Sequence, residues 1–314
     1  MSRTQLSSGD VTADRRADYA RMLEEGGDPA AAAELMEQAL ELTPGWAAGW
    51  HRLGIYREKA KDAAGSAAAF EKVLALDPDD MFGARLKLAV LGAAGMPDLP
   101  PSRYVERLFD DYADRFETAL VEKLDYSVPQ KLAALIAETS DIARNFALAV
   151  DLGCGTGLLG PEIRGRVDRL EGFDLSQNML AKAEGKHAYD HLAQADLSLA
   201  PAVSGVVGDG LAAHRADLVT AADVLMYLGY LESVFAIVDA LAAPRAVFAF
   251  SVEDGGEGEG VKLRDSLRYA HTEAYVRALC GSHDLDVVGI VRTTIRKDGG
   301  KPISGILFLT RKTA

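Results

Sequence analysis

Phe146-Ala147-Leu148-Ala149-Val150-Asp151-Leu152-Gly153-Cys154-Gly155-Thr156-Gly157-Leu158-Leu159-Gly160 is the stretch on which the fold turns. Its first half is a short apolar run with aromatic and β-branched members, closed by an acid, and predicts a buried strand. Gly153, Gly155 and Gly157 then alternate with other residues before a helical pattern begins at Leu158. Glycines are needed where backbone takes positive φ or where a ligand must approach it, so the run predicts strand, ligand-hugging turn and helix start.

Gly155, Gly157 and Gly160 alone spell G-x-G-x-x-G, the weak signature of a dinucleotide turn. Asp151 argues against that ligand, because a carboxylate beside the turn repels a pyrophosphate. Asp151-Leu152-Gly153-Cys154-Gly155-Thr156-Gly157 resembles the first motif of class I S-adenosylmethionine-dependent methyltransferases. That resemblance implies S-adenosylmethionine as cofactor, with Asp151, Gly153, Cys154, Gly155, Gly157 and Leu158 around its amino acid part.

The strands that follow extend the reading. Arg169 to Asp174 ends in an acid placed to accept both ribose hydroxyls, which a nicotinamide enzyme would also use. Leu175 and Met179 come next, near the expected adenine. Leu192 to Leu197 resembles the family's third strand, where Asp196 and Leu197 would take the adenine. Ala216 to Asp223 predicts a fourth strand, the resemblance implies that Asp223 stands at the post-strand position facing the methyl group, and Tyr227 follows as a residue able to orient a nucleophile. The Asn/Asp-Pro-Pro-Tyr/Phe signature of enzymes acting on amide or base nitrogen is absent there. Ala246 to Val252 gives a fifth strand, Glu253 to Gly260 reads as a mobile acidic loop, and His271 opens a helix capped by Thr272 as the candidate general base. Asp286 to Thr294 and Ile303 to Thr310 predict a terminal hairpin. His187 and His191 stand at i, i+4 of an expected helix, without the companion ligands a metal site needs, so no metal is expected.

Between Asp14 and Gly95 the chain is rich in alanine and leucine and repeats itself. Met36 and Phe70, Ala39 and Val73, and Pro44 and Pro78 are each 34 residues apart, and Trp50, Leu53 and Gly54 give W-x-x-L-G. This resembles tetratricopeptide repeats, although Arg16, Tyr19 and Ala20 depart from the pattern in the first unit. The resemblance implies a surface for a protein partner or for self-association, or a support for the neighbouring domain. Gly95 to Pro101 is a breaker cluster that divides a helical domain, 1–97, from a second domain, 98–314. Just beyond it, Leu108 to Phe116 resembles the F-D-x-Y-A-x-x-F/Y segment that folds over the cofactor in small-molecule methyltransferases, which implies that Tyr112 and Phe116 close the pocket.

Taken together, the chain resembles a bacterial group of predicted tetratricopeptide-containing methyltransferases. The fold this implies is α/β, a Rossmann-like seven-stranded methyltransferase sheet with a terminal antiparallel hairpin, preceded by an all-α repeat domain. The implied activity is methyl transfer to N, O or S of a small-molecule substrate. A nicotinamide-dependent oxidoreductase and a non-catalytic S-adenosylmethionine-binding adaptor are the alternatives. A formal charge of −13 over 314 residues argues against nucleic acid as the main partner. Two cysteines, no membrane-spanning apolar run and no signal-like start lead to a cytoplasmic expectation.

Overall fold

Three aspartates start the first helices. In the computed structural model, which describes residues 6–113, 126–139, 145–298 and 300–313, Asp10 accepts from the Thr12 and Ala13 amides to cap α1 (Val11–Glu25). Asp28 and Asp62 do the same for α2 (Pro29–Leu42) and α4 (Ala63–Leu76) through the Ala31 and Gly65 amides. Each cap satisfies a donor that the helix itself leaves orphaned. α3 (Ala47–Lys59) and α5 (Ala84–Val90) complete this part. The spacing of 34 that the apolar residues show is thus shared by the caps Asp28 and Asp62. Small residues set the packing distance. A methyl group on Gly54 would stand 2.7 Å from the Phe70 ring, and the Gly54 carbonyl accepts from the buried Ser66 hydroxyl at 2.8 Å.

The chain divides into two compact units, Met1–Tyr104 and Val105–Ala314. α6 (Ser102–Tyr112) runs from the first into the second. The second unit is built on β1 (Phe146–Leu152), β2 (Val167–Asp174), β3 (His191–Gln194), β4 (Ala216–Ala221) and β5 (Ala242–Asp254), parallel in the order β3-β2-β1-β4-β5. The reversal of order between β1 and β4 opens a crevice at the carboxyl ends of the strands. Helices α7 (Val128–Glu138), α8 (Gly160–Ile163), α9 (Gln177–Glu184), α10 (Pro201–Ser204), α11 (Glu232–Leu241) and α12 (Glu273–Ser282) connect or cover the strands.

The sheet has nine strands among the described residues rather than the expected seven. Beside β5 lies the long antiparallel pair β8 (Leu285–Asp298) and β9 (Lys301–Lys312), with β9 innermost. The two additional strands are β6 (Val261–Leu263), which directly follows the run read from sequence as a loop, and β7 (Tyr269–His271), in the segment read as a helix start. The physical reason is local. Lys262 on β6 donates to the Gly255 and Glu257 carbonyls, and Tyr269 on β7 is fully buried, so the glycine-rich run is held against β6 while β7 joins β5. Phe248, Phe250 and Phe308 stack through the sheet centre, with Phe250 and Phe308 at 5.1 Å and 10°. Each such ring removes apolar surface from water for about 2 to 3 kcal/mol.

The histidine pair also differs from expectation. α9 ends at Glu184, His187 sits in a turn with φ 54°, and His191 opens β3 with its ring against Phe173. The two therefore share no helix face. Among the described residues no three of His, Cys, Asp and Glu gather as a metal-binding group, and no helix is long and apolar enough to cross a membrane.

Candidate functional site

The glycine turn is held in place from beneath. The Cys154 amide donates to the Phe173 carbonyl at 3.0 Å and the Gly157 amide to the Cys154 carbonyl at 2.8 Å. Its glycines divide by what surrounds them. A Cβ on Gly153 would lie 2.3 Å from Val224, and one on Gly157 or Gly160 would meet the Tyr189 ring at 2.9 or 2.7 Å. Those positions are small because neighbouring side chains fill the space. Gly155 alone of the motif has φ +54° and nothing within 4 Å of its would-be Cβ, so it presents bare backbone to the crevice.

Two carboxylates close the neighbouring strands. Asp151 is buried at 1% exposure and accepts from Thr220 Oγ1 and Tyr189 Oη, each at 2.7 Å. Burial pushes its pKa up to about 6, against the pull of those two hydrogen bonds. Asp174 accepts from the Gly155 amide and the Ser176 amide, both at 2.9 Å. Its pKa is also raised to about 6, first by burial and further by the like charge of Asp110. The Cys154 thiol, buried beside both acids, is pushed well up. Asp196 lies half-buried just after β3, one oxygen taken by the Ser198 amide and hydroxyl at 2.9 and 2.6 Å. Leu158 and Leu175 are half-buried along the same rim, and Leu197 is buried.

Beyond β4 the chemistry changes. Asp223 has φ 57° and its amide donates to Ser251 Oγ at 2.8 Å. Its carboxylate accepts from Arg296 Nη1 at 2.8 Å, while Arg296 Nη2 bonds Glu253 at the end of β5. Burial raises the Asp223 pKa, and Arg296 and Arg268 oppose that rise. Tyr227 accepts from Arg268 Nε at 3.2 Å and meets Phe109 edge to face at 4.7 Å. Arg268 pairs in turn with Asp298 at 2.9 Å.

Two sequence expectations are corrected by burial. Met179 has 0% exposure inside α9, so it is core and offers no surface to an adenine. His271 has 0% exposure on β7, its Nε2 at 2.8 Å from the Gly229 carbonyl, and burial lowers its pKa to about 4. A ring with no accessible surface and so low a pKa is not a cleft-facing base. Tyr112 is half-buried at the end of α6, and Phe116 lies outside the described residues. Sequence reasoning missed Thr220, Tyr189, Ser176, Asp110 and Arg296. Only Asp110 carried a signal, standing inside the quoted Phe-Asp segment. The others are ordinary residue types whose partners lie far along the chain.

Residues 150–248 match a family model described as a methyltransferase domain. A malonyl-[acyl-carrier protein] O-methyltransferase of Enterobacter lignolyticus (strain SCF1) is 31% identical over 109 residues, 35% of this chain and 40% of that protein. A Hsp70-Hsp90 organizing protein of Triticum aestivum is 46% identical over 67 residues, 21% of this chain and 12% of that protein. The chain thus spans less than half the length of these curated relatives. Among solved structures, the [4+2]-cyclase SpnF gives a TM-score of 0.53 at 12% identity, over 70% of this chain and 99% of its own. The 1,6-didemethyltoxoflavin-N1-methyltransferase of Burkholderia thailandensis gives 0.51 at 18% identity, over 70% and 94%. At such identities the likeness is one of fold. The matched segment is a class I methyltransferase domain, the kind that uses S-adenosylmethionine, on an α/β sheet with a C-terminal antiparallel pair.

Proposed function

We propose that the protein transfers the methyl group of S-adenosylmethionine to an N, O or S atom of a small-molecule acceptor. The observation that carries this reading is the open backbone of Gly155 beside Asp174, at the carboxyl ends of β1 and β2 within the matched segment. The residues fit the cofactor on a second count, since Thr156 Oγ1 in the turn is buried with no partner among the described residues. The malonyl-directed relative supports an oxygen acceptor.

S-adenosylmethionine, when bound, supplies an electrophilic methyl on a cationic sulfur. The protein's own work is to align and to exclude water, effects that together contribute several kcal/mol, on the order of 7 or more in the best cases. In this reading Gly153, Gly155 and Leu158 border the amino acid part, with Asp151 bracing the turn through Tyr189 and Thr220. Asp174 takes the ribose, Asp196 and Leu197 the adenine, and Tyr112 and Phe116 cover them. Asp223 and Tyr227 face the acceptor. Because Tyr227 Oη already accepts from Arg268, its own proton is left to donate and so to orient a nucleophile. The helical unit, by its period of 34 and its relative, supports a tetratricopeptide-like docking surface over 1–97 for a protein partner or a second copy. Two buried, unpaired cysteines support a cytoplasmic setting.

The test is calorimetry of the full chain with S-adenosylhomocysteine, followed by incubation with methyl-labelled S-adenosylmethionine and size-fractionated cell extract. Micromolar binding and label in the small-molecule fraction are expected. Label on protein would replace the small acceptor, and binding of reduced nicotinamide cofactor with no heat from S-adenosylhomocysteine would overturn the reading.

A further inference from the structure

One serine joins two carboxylates at the ribose end of the crevice. The Ser176 amide donates to Asp174 Oδ1 at 2.9 Å, and the Ser176 hydroxyl donates to Asp110 Oδ1 at 2.5 Å. Asn178 Nδ2 adds a contact to the Asp110 carbonyl at 3.3 Å. Asp110 rides on α6, and its neighbour Phe109 rests on Tyr227 beyond β4. Residues 109 and 110 therefore touch the loops after β4 and after β2, which flank the crevice on either side of β1.

The arrangement is electrostatically unsatisfied. No salt bridge joins either Asp110 or Asp174 to a cation among the described residues, and their like charges oppose each other. Hydroxyl and amide donors from the chain itself reach one oxygen of Asp110 and both of Asp174. A ligand offering two adjacent hydroxyl donors would stabilise both ions at once, and a ribose diol has that chemistry.

We infer that Asp110 is a further cofactor-binding residue, delivered by α6 so that the ribose diol is shared between Asp174 and Asp110. The inference rests on the S-adenosylmethionine reading of the same site. It makes α6 part of the binding site through a carboxylate as well as through its aromatic residues.

The test compares S-adenosylhomocysteine with its 2′,3′-dideoxy analogue by calorimetry on the full chain. In the unaltered protein, removing the diol is expected to weaken binding by about 100-fold, two charge-assisted hydrogen bonds being lost. Asp110→Asn is expected to weaken S-adenosylhomocysteine about 10-fold and the dideoxy analogue hardly at all. Asn178→Ala, which loosens α6 without touching either carboxylate, is expected to keep the full diol effect. Equal weakening of both ligands by Asp110→Asn, or no weakening, overturns the inference. If that variant does not fold, tryptic cleavage of the unaltered chain at Arg103 and Arg107 decides. Slowing by S-adenosylhomocysteine but not by the dideoxy analogue is expected, and equal slowing overturns the inference. Failure of the unaltered chain to bind S-adenosylhomocysteine would instead sink the cofactor reading on which all this stands.

Discussion

The two halves of the crevice solve the burial of carboxylates in opposite ways. After β1 and β2, Asp151 and Asp174 are held by hydroxyl and amide donors and stand next to one another and to Asp110. After β4 and β5, Asp223 and Glu253 are held by Arg296, with Arg268 nearby. The first half keeps its negative potential and, among the described residues, has no salt bridge to Asp151, Asp174 or Asp110, which suits a cationic ligand. The second is internally neutralised and does not compete for that cation. The contrast teaches that an acid at a strand end is a binding group only where the chain has not already neutralised it.

The largest expected effect falls on the neutralised side. Arg296→Met leaves two buried acids unpaired and is expected to lower stability by about 3 to 5 kcal/mol in urea unfolding; a loss below 1 kcal/mol would erase the contrast. On the other side, Asp174→Asn should leave the fold in place and weaken S-adenosylhomocysteine by at least 10-fold, about 1.4 kcal/mol or more. Calorimetry beside a thermal melt separates the two quantities.

The glycines sharpen the comparison within the turn itself. Gly153→Ala drives a methyl into Val224 and should destabilise by about 2 to 3 kcal/mol. Gly155→Ala meets no neighbour, so it should cost about 1 kcal/mol for its left-handed backbone and be felt in ligand affinity. If both variants lose stability equally, the division of the turn into packed and open glycines fails.

The last effect is in pH. Asp151 and Asp174 each have a folded pKa of about 6 against an ordinary 3.8. A raised carboxyl stabilises the fold while protonated, so that contribution is whole below 3.8 and is lost as pH rises through about 6. Unfolding followed from pH 4 to 7 should therefore show Asp174→Asn losing less stability with rising pH than the unaltered chain. A parallel pair of curves would mean that Asp174 is not buried as an acid.

Most of this architecture was legible in local pattern. Alternating and continuous apolar runs located the central strands, the Asp-x-Gly-x-Gly-x-Gly run located the turn, and the spacing of 34 located paired helices. The misreadings were of a different kind. The segment before Thr272, expected to open a helix, is the strand β7 because it pairs with β5 and buries Tyr269, a contact no propensity encodes. Met179 and His271 had plausible residue types for a site, yet their positions in the core remove them from it.

What the sequence determined by itself is the order of strands, turns and helix caps, because these depend on residues within one or two turns of each other. Only the tertiary structure decided which carboxylates remain available to a ligand. Asp151 is claimed by Thr220 and Tyr189, 69 and 38 positions away, and Asp223 by Arg296, 73 positions away. The charge a buried acid presents is set by the donors that the fold brings to it, and those come from parts of the chain that no local reading joins.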